Sequence, residues 1–469
     1  MIHMVKISFI GAGSKGFTKG IVTDILSFPA LRKNTLISLH DINKPRLDYM
    51  LELFNKYKAD HPEELEHVEF EATLDQRESI ANAKYIIAAF MVGGWEAYKL
   101  DVDIPFKYGV TQNVGDTLGP GGVFRFLRSA PVYKQIITNM HEVGYNAGME
   151  NAAKPIFLNY TNPMAMNTWY CNAISDGFGW NKDSTVGLCH GVQGTSNQLR
   201  MYVGAAPQEF SFFCAGINHM AWFLELWFKD YTKKDAAWED AYPIIWQHYK
   251  EEPEIMGSEK LRWDMMKATG FYMTESSGHL SEYLPYYRKR KDLLEKYRGA
   301  DTGFDSLEHA VDMQNFTRAS KDQEEKVQEQ PESMAFKKTP SQEYASNIIN
   351  AMETNVPFRF NGNVMNRNAS LITNLPSGCC VEVPIFVDFH GIHPQGGIEL
   401  PTQCQALCTS NIMVQKAAVE GALEHDKEKI FHAVMLDPNT ASTCSPGEVR
   451  EMVAEMFEAE KKWLGYFDN

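Results

Sequence analysis

A cysteine and the histidines near it stand closest to usable chemistry. Cys189-His190-Gly191-Val192-Gln193 follows a short apolar run, and thirty residues on comes Gly216-Ile217-Asn218-His219. Thiolate and imidazole are borderline-soft donors that suit a divalent transition metal. Cys189 and His219 are too few for a closed structural zinc site, which takes four ligands. An open site completed by substrate oxygens and water would fit. Spacing alone is explained more simply by a buried cysteine and a hydrogen-bonded core histidine.

Three further constellations carry polar or flexible chemistry. Gly11-Ala12-Gly13-Ser14-Lys15-Gly16 sits between a predicted strand and a predicted helix. There, glycine lets the backbone approach a pyrophosphate and the helix N-terminus offers unpaired N–H groups. Asp41 closes the second strand 25 residues after Gly16. It would accept from ribose hydroxyls and repel a 2′-phosphate, which selects NAD over NADP, although Lys15, Lys19 and Lys44 are close in sequence. Asn159-Tyr160-Thr161-Asn162-Pro163 could hold sugar hydroxyls, or simply cap a turn. Asn113 to Gly122 is a glycine-rich run around Asp116, followed by Arg125 and Arg128. It suits a polar ligand, and a flexible surface loop explains it as well.

The elements that must position these groups alternate. Strands are predicted at Lys6–Ile10, Thr35–Leu39, Val68–Thr73, Tyr85–Phe90, Pro155–Leu158 and Thr185–Leu188. Helices are predicted at Phe17–Leu26, Lys44–Ala59, Ser129–Val143 and Met164–Ala173. Such alternation predicts a parallel sheet with right-handed crossovers, so residues 1–195 read as one α/β domain. After Cys214 the composition shifts: Ala221–Phe228 is apolar and aromatic, and long helical stretches alternate with loops. Residues 318–342 are rich in Lys, Glu, Gln and Asp and read as a solvated helix or loop. Cys379–Val387 reads as a strand, and Gln405–Glu424 and Pro446–Leu464 read as helices.

Composition excludes several classes. The 469 residues carry a net charge of −15, which argues against nucleic acid or an anionic membrane as the main partner. No apolar run approaches the ~20 residues of a membrane span. The first residues run straight into a strand, so no secretory leader is expected. Eight irregularly spaced cysteines make no disulfide framework and point to a reducing, cytoplasmic compartment.

The pieces occur in one order, and in that order the chain resembles the NAD-dependent glycoside hydrolases of family 4. The similarity runs through Phe9–Ser14, Asp116–Gly122, Asn162–Trp169, Gly187–His190, Cys214–Ala221, Thr274–Ser277, and Asn374–Pro376 onward to Glu382-Val383. The nearest branch is the melibiase-like α-galactosidases. The resemblance implies an N-terminal Rossmann NAD-binding domain over residues 1–195. A mixed α/β domain over 196–469 would bind substrate and metal and form the oligomer, a homodimer or homotetramer. It also implies a small α-glycoside as substrate, with NAD and Mn²⁺ or another divalent ion as cofactors. Cys189 and His219 become the metal ligands. Gly11, Gly13, Ser14, Gly16 and Asp41 hold the dinucleotide, and Asn162 binds substrate.

Ordinary glycosidases flank the scissile bond with two carboxylates; members of this family do not work in that way. They take a hydride from sugar C3 onto NAD⁺, which acidifies the C2 proton. They then remove that proton, expel the C1 oxygen by elimination, add water and return the hydride. His190 stands where relatives carry the acid that assists the leaving group. The base falls in Gly270–Tyr283, where Tyr272, Glu275, His279 and Tyr283 are all chemically possible; Tyr272 and Glu275 join His190 as the candidate catalytic set. Asp116 and Arg288 are candidate substrate contacts, the latter within a basic run, Arg288–Lys291, that could bind a uronate carboxylate or be a solvated helix face. His190, rather than Asp or Asn, argues against 6-phosphosugars. Gly191 makes room beside the sugar. α-Galactosidase is expected first, with α-glucosidase and α-glucuronidase or α-galacturonidase next. The alternatives are a plain NAD-dependent dehydrogenase of the malate or lactate type and a non-enzymatic NAD-binding sensor.

Overall fold

β1, Val5–Ile10, is a run of β-branched and aromatic residues whose last four are buried, as expected of a strand covered on both faces. In the computed structural model, which describes residues 4–149, 152–180, 183–251, 259–297 and 331–468, β1 is central. It pairs in parallel with β2 (Thr35–His40) and with β4 (Tyr85–Ala88). β3 (Val68–Thr73) lies outside β2, and β5 (Ile156–Asn159) and β6 (Thr185–Gly187) lie beyond β4. The parallel order is therefore β3-β2-β1-β4-β5-β6, and it reverses between β1 and β4. In doubly wound sheets ligands bind at that reversal, outside the carboxyl ends of the strands.

Past β6 the sheet continues with antiparallel pairing. β7 (Phe210–Ile217) and β8 (Met220–Phe228) form a hairpin, and β9 (Glu239–Asp240) lies outside it. β10 (Phe358–Met365) and β11 (Cys380–Asp388) insert between β6 and β7, joined through Asn363 opposite Gly187 and Glu382 opposite Gly216. β12 (Gly391–Pro394) pairs with β11. The result is an α/β fold with a Rossmann start and a mixed sheet of 12 strands among the described residues.

Two expectations change. The helix predicted from Ser129 starts ten residues earlier and spans Gly119–Val143. Pro120 occupies its first turn, where a missing N–H costs nothing. A Cβ on Gly121 or Gly122 would fall 2.6 Å from the Gly115 carbonyl oxygen or the Thr117 carbonyl carbon. These glycines therefore allow the helix to press against the Gly115–Thr117 turn rather than form a flexible loop. The stretch around Cys214 is an antiparallel hairpin before it is helical, because aromatic residues on both faces of β7 hide its alternation. Of the charged stretch 318–342, residues 318–330 lie outside the described residues. Farther on, Lys337 pairs with Asp24, and the Ser341 N–H donates to the same carboxylate at 2.9 Å, tying this segment to the helix Lys15–Ser27. Among the described residues no helix is long and apolar enough to cross a membrane.

Candidate active site

The glycine loop takes its shape from contacts that only glycine permits. Gly11 has φ +85°, and a Cβ there would lie 2.3 Å from the Ala89 carbonyl oxygen. The Gly13 N–H donates to Asp41 Oδ2 and the Asn43 N–H to Asp41 Oδ1, each at 2.8 Å. Asp41 thus binds the loop after β1 to the end of β2. Ser14 precedes the helix Lys15–Ser27, and a Cβ on Gly16 would meet nothing within 4 Å. This cradle, with an open side, a helix N-terminus and an acid at the second strand, fits a dinucleotide. Two nearby lysines are engaged elsewhere: Lys44 bonds Asp48 at 2.7 Å, and Lys15 Nζ lies 3.9 Å from the Tyr49 ring centre.

The loops after β5 and β6 and the β7–β8 turn converge at the same edge. Cys189 Sγ lies 3.4 Å from His219 Nε2, and Glu275 Oε2 lies 3.5 Å from the same nitrogen. One donor atom from each of the three falls within 4.8 Å of the others. His219 is placed by a left-handed turn residue, φ 62°. Its Nδ1 lies 3.2 Å from both Thr117 Oγ1 and Tyr283 Oη. The Thr117 hydroxyl spends its own proton on Asp116 Oδ1, at 2.8 Å, so towards the ring it accepts. A ring proton on Nδ1 would leave the Nε2 lone pair facing Cys189 and Glu275, the arrangement of a metal-binding imidazole. Burial lowers the His219 pKa, the direction that ligation by a neutral ring needs. Burial, with Glu382 and Glu275 nearby, pushes the Cys189 thiol up; a divalent cation held by Cys189 and His219 would reverse that balance. A thiol and an imidazole with open positions, beside a carboxylate, fit a catalytic transition metal.

A second set of charges adjoins the first. Asn162 Nδ2 donates to Asp116 Oδ2 at 2.9 Å, and His279 Nε2 lies 3.2 Å from Asp116 Oδ1. The other His279 nitrogen lies 3.4 Å from Glu275 Oε1. Burial opposes ionisation of both acids. The His279 hydrogen bond and charge, with Arg125, nevertheless hold Asp116 well below the usual carboxylate range. His279 and the Ser276 N–H do the same for Glu275. His279, buried between Asp116 and Glu275, is correspondingly raised despite its burial. His190 sits at the rim, its side chain 72% exposed, with Nδ1 3.5 Å from Glu343 Oε1; that contact raises its pKa.

Of the expected residues, this arrangement brings together Cys189, His219, Glu275, Asp116 and Asn162, with His190 beside them. Tyr272 is not among them. It is fully buried against Trp263, with Arg262 over its ring at 5.1 Å, in a separate apolar cluster, because its position on a strand-like run beside β8 turns it inward. The tyrosine against His219 is Tyr283. Arg288 is also corrected as a substrate contact. It is 4% exposed and donates to the Thr111 carbonyl at 2.9 Å and to Ser281 Oγ at 3.1 Å, while Arg290 of the same run pairs with Asp292 at the surface. Thr117, Glu282 and Glu343 have no distinguishing sequence signal of their own. Thr117 and Glu282 lie inside the motifs above, but only tertiary packing reveals what they hold, and nothing local marks Glu343.

A nucleotide cradle and an open metal cluster at one edge of a doubly wound sheet define an enzyme that acts on a small polar substrate beside a dinucleotide. Residues 6–205 match the family 4 glycosyl hydrolase model, and residues 214–440 match that family's C-terminal domain. The chain is 39% identical to an α-galactosidase of Rhizobium meliloti, over 98% of this chain and 89% of the relative. It is 36% identical to an α-galactosidase of Bacillus subtilis, over 98% and 99%. A structure of the 6-phospho-β-glucosidase of Thermotoga maritima with manganese, NAD⁺ and glucose-6-phosphate superposes with TM-score 0.75 at 18% identity, over 98% and 99% of the two chains. The chain belongs to glycosyl hydrolase family 4. It is a glycosidase, and the plain dehydrogenase alternative is not favoured.

Proposed function

We propose that this enzyme cleaves non-phosphorylated α-hexosides, α-galactosides first, by transient oxidation of the sugar with NAD and a divalent ion such as Mn²⁺. The observation that carries it is the Cys189–His219–Glu275 cluster adjoining the Asp116–Asn162 pair. Support for the sugar comes from the two α-galactosidase relatives. α-Glucosides, α-glucuronides and α-galacturonides follow, because Gly191 leaves space beside the cluster: a Cβ there would lie 3.5 Å from Glu275 Oε2 and 3.6 Å from Cys189 Sγ.

When bound, the dinucleotide supplies reversible removal of a hydride from sugar C3, and the ion supplies Lewis acidity at the neighbouring oxygens. Gly11, Gly13, Ser14, Gly16 and Asp41 would hold the former, Cys189 and His219 the latter. Glu275, kept ionised, accepts the C2 proton. His190, its charge favoured by Glu343, donates to the departing oxygen. Asn162 and Asp116 orient sugar hydroxyls, and His279 balances the two buried carboxylates. We assign the cradle to a domain over residues 1–195 and most of the substrate site to 196–469. We also propose a cytoplasmic homodimer or homotetramer. All eight cysteines are free thiols, which suits a reducing compartment.

The test follows aglycone release and NADH absorbance with an aryl α-galactoside, NAD⁺, Mn²⁺ and thiol. Aglycone without lasting NADH is expected, slowed by deuterium at C2 if that step limits the rate. Cys189→Ser should nearly abolish turnover while NAD⁺ binding stays close to intact. Unchanged turnover in that variant would refute the metal assignment, and NADH accumulating without cleavage would refute the reaction.

A further inference from the structure

Asp116 and Thr117 each face the site, yet neither lies in a regular element. The backbone that carries them is held by side chains from elsewhere. Glu282 is 3% exposed and sits in the turn after the helix Ser277–Leu280. Its two carboxylate oxygens accept separately, Oε1 from the Val114 N–H at 2.5 Å and Oε2 from the Gly115 N–H at 3.1 Å. Tyr98 Oη donates to the Val114 carbonyl at 2.6 Å, and Gln112 Nε2 donates to the Asp101 carbonyl at 2.8 Å. Arg288 and Asn439 both donate to the Thr111 carbonyl, at 2.9 and 3.0 Å. Among these, Glu282 alone grips the two successive amides that lead into Asp116.

We infer that Glu282 is a positioning residue: its carboxylate fixes the Val114–Gly115 backbone so that Asp116 meets Asn162 and His279 while Thr117 supports Nδ1 of His219. The inference rests on the roles proposed above for Asp116 and the Cys189–His219 pair. Glu282 offers one oxygen to each of two converging N–H groups. A carboxamide has one acceptor and would turn an NH₂ against the other donor. Loosening the turn releases two contacts at once, one to the substrate pair and one to the ring that faces the ion. Partners one step removed from a metal ligand commonly govern 10–100-fold in metal affinity or activity.

The experiment uses full-length Glu282→Gln, with Glu282→Asp as the second variant should the first fail to fold; the aspartate keeps both acceptors but withdraws them by one methylene. Mn²⁺ affinity is read by electron paramagnetic resonance without substrate, NAD⁺ affinity by calorimetry, and kcat and KM on the aryl α-galactoside. Expected are Mn²⁺ binding weakened about tenfold and kcat/KM lowered about 10–100-fold, with NAD⁺ affinity unchanged. In a Thr117→Val background, Glu282→Gln should weaken Mn²⁺ binding by less than about threefold more, because the path through Thr117 is already cut. Full additivity with Thr117→Val, or a folded Glu282→Gln with parental Mn²⁺ affinity and kcat/KM, overturns the inference. Cys189→Ser separates the two levels. If it loses the ion while Glu282→Gln stays parental, the metal centre stands and only the role of Glu282 falls. If Cys189→Ser binds Mn²⁺ as the parent does, both fall.

Discussion

Gly13→Ala isolates the link between the nucleotide loop and its acid. The added methyl would sit 2.8 Å from Asp41 Oδ2, the oxygen that accepts the Gly13 N–H at 2.8 Å. Carbon cannot approach a carboxylate oxygen that closely, and Arg46 Cβ lies 2.9 Å from the same methyl. Asp41 must therefore swing out and give up that bond. A hydrogen bond to a charged group is worth ~1.5–3 kcal/mol. If Asp41 is then misplaced for the ribose, the same sum appears in cofactor binding as roughly 10–100-fold, at ~1.4 kcal/mol per tenfold. Gly16→Ala is the internal control for folding, since its methyl meets nothing in the free protein. Calorimetric titration of NAD⁺ into the parent, Gly13→Ala, Asp41→Ala and the double variant measures the coupling. The alanine at 13 should cost much less once Asp41 is gone. Parental NAD⁺ affinity in Gly13→Ala, or an equal loss in both backgrounds, would refute the reasoning.

Two other perturbations have worked outcomes. Arg128, 1% exposed, holds Asp101 through two 2.7 Å bonds and also pairs with Glu460, both acids fully buried; Arg128→Ala strands two carboxylates and should cost ~3–5 kcal/mol in urea unfolding, whereas a loss under ~1 kcal/mol would contradict it. Gly191→Ser should fold like the parent, because its Cβ finds ordinary contacts of 3.5 and 3.6 Å, but should shift the ratio of kcat/KM between α-galactoside and α-glucoside by about tenfold, the scale of one hydrogen bond; an unchanged ratio would remove Gly191 from the specificity site.

The parallel half of the fold was legible because its strands are short β-rich runs closed by turn residues: Lys6–Ile10, Thr35–Leu39 and Val68–Thr73 all fall within a residue of observed strands. The antiparallel half was not, since β10 and β11 enter the sheet from more than a hundred residues beyond β6, and nothing local announces their neighbours. At the site, Cys189, His219, Asp116, Asn162 and Glu275 were named from motifs, and they converge. Tyr272 and Arg288 carry suitable chemistry on the wrong face, an orientation that a chain without regular spacing conceals. Glu282 and Thr117 act through backbone amides and a ring nitrogen, which no residue pattern displays.

The separation of β6 from β7 also dictates an order of assembly. Three strand steps at ~4.8 Å put them about 14 Å apart, and β10 and β11 fill the interval. During synthesis the loop between Gly11 and Gly16 can settle once the first parallel strands emerge, whereas Cys189 and His219, though near in sequence, wait until residues 358–388 slot between their strands. A ribosome-bound fragment would thus own its nucleotide cradle well before it owns an ion-binding pair.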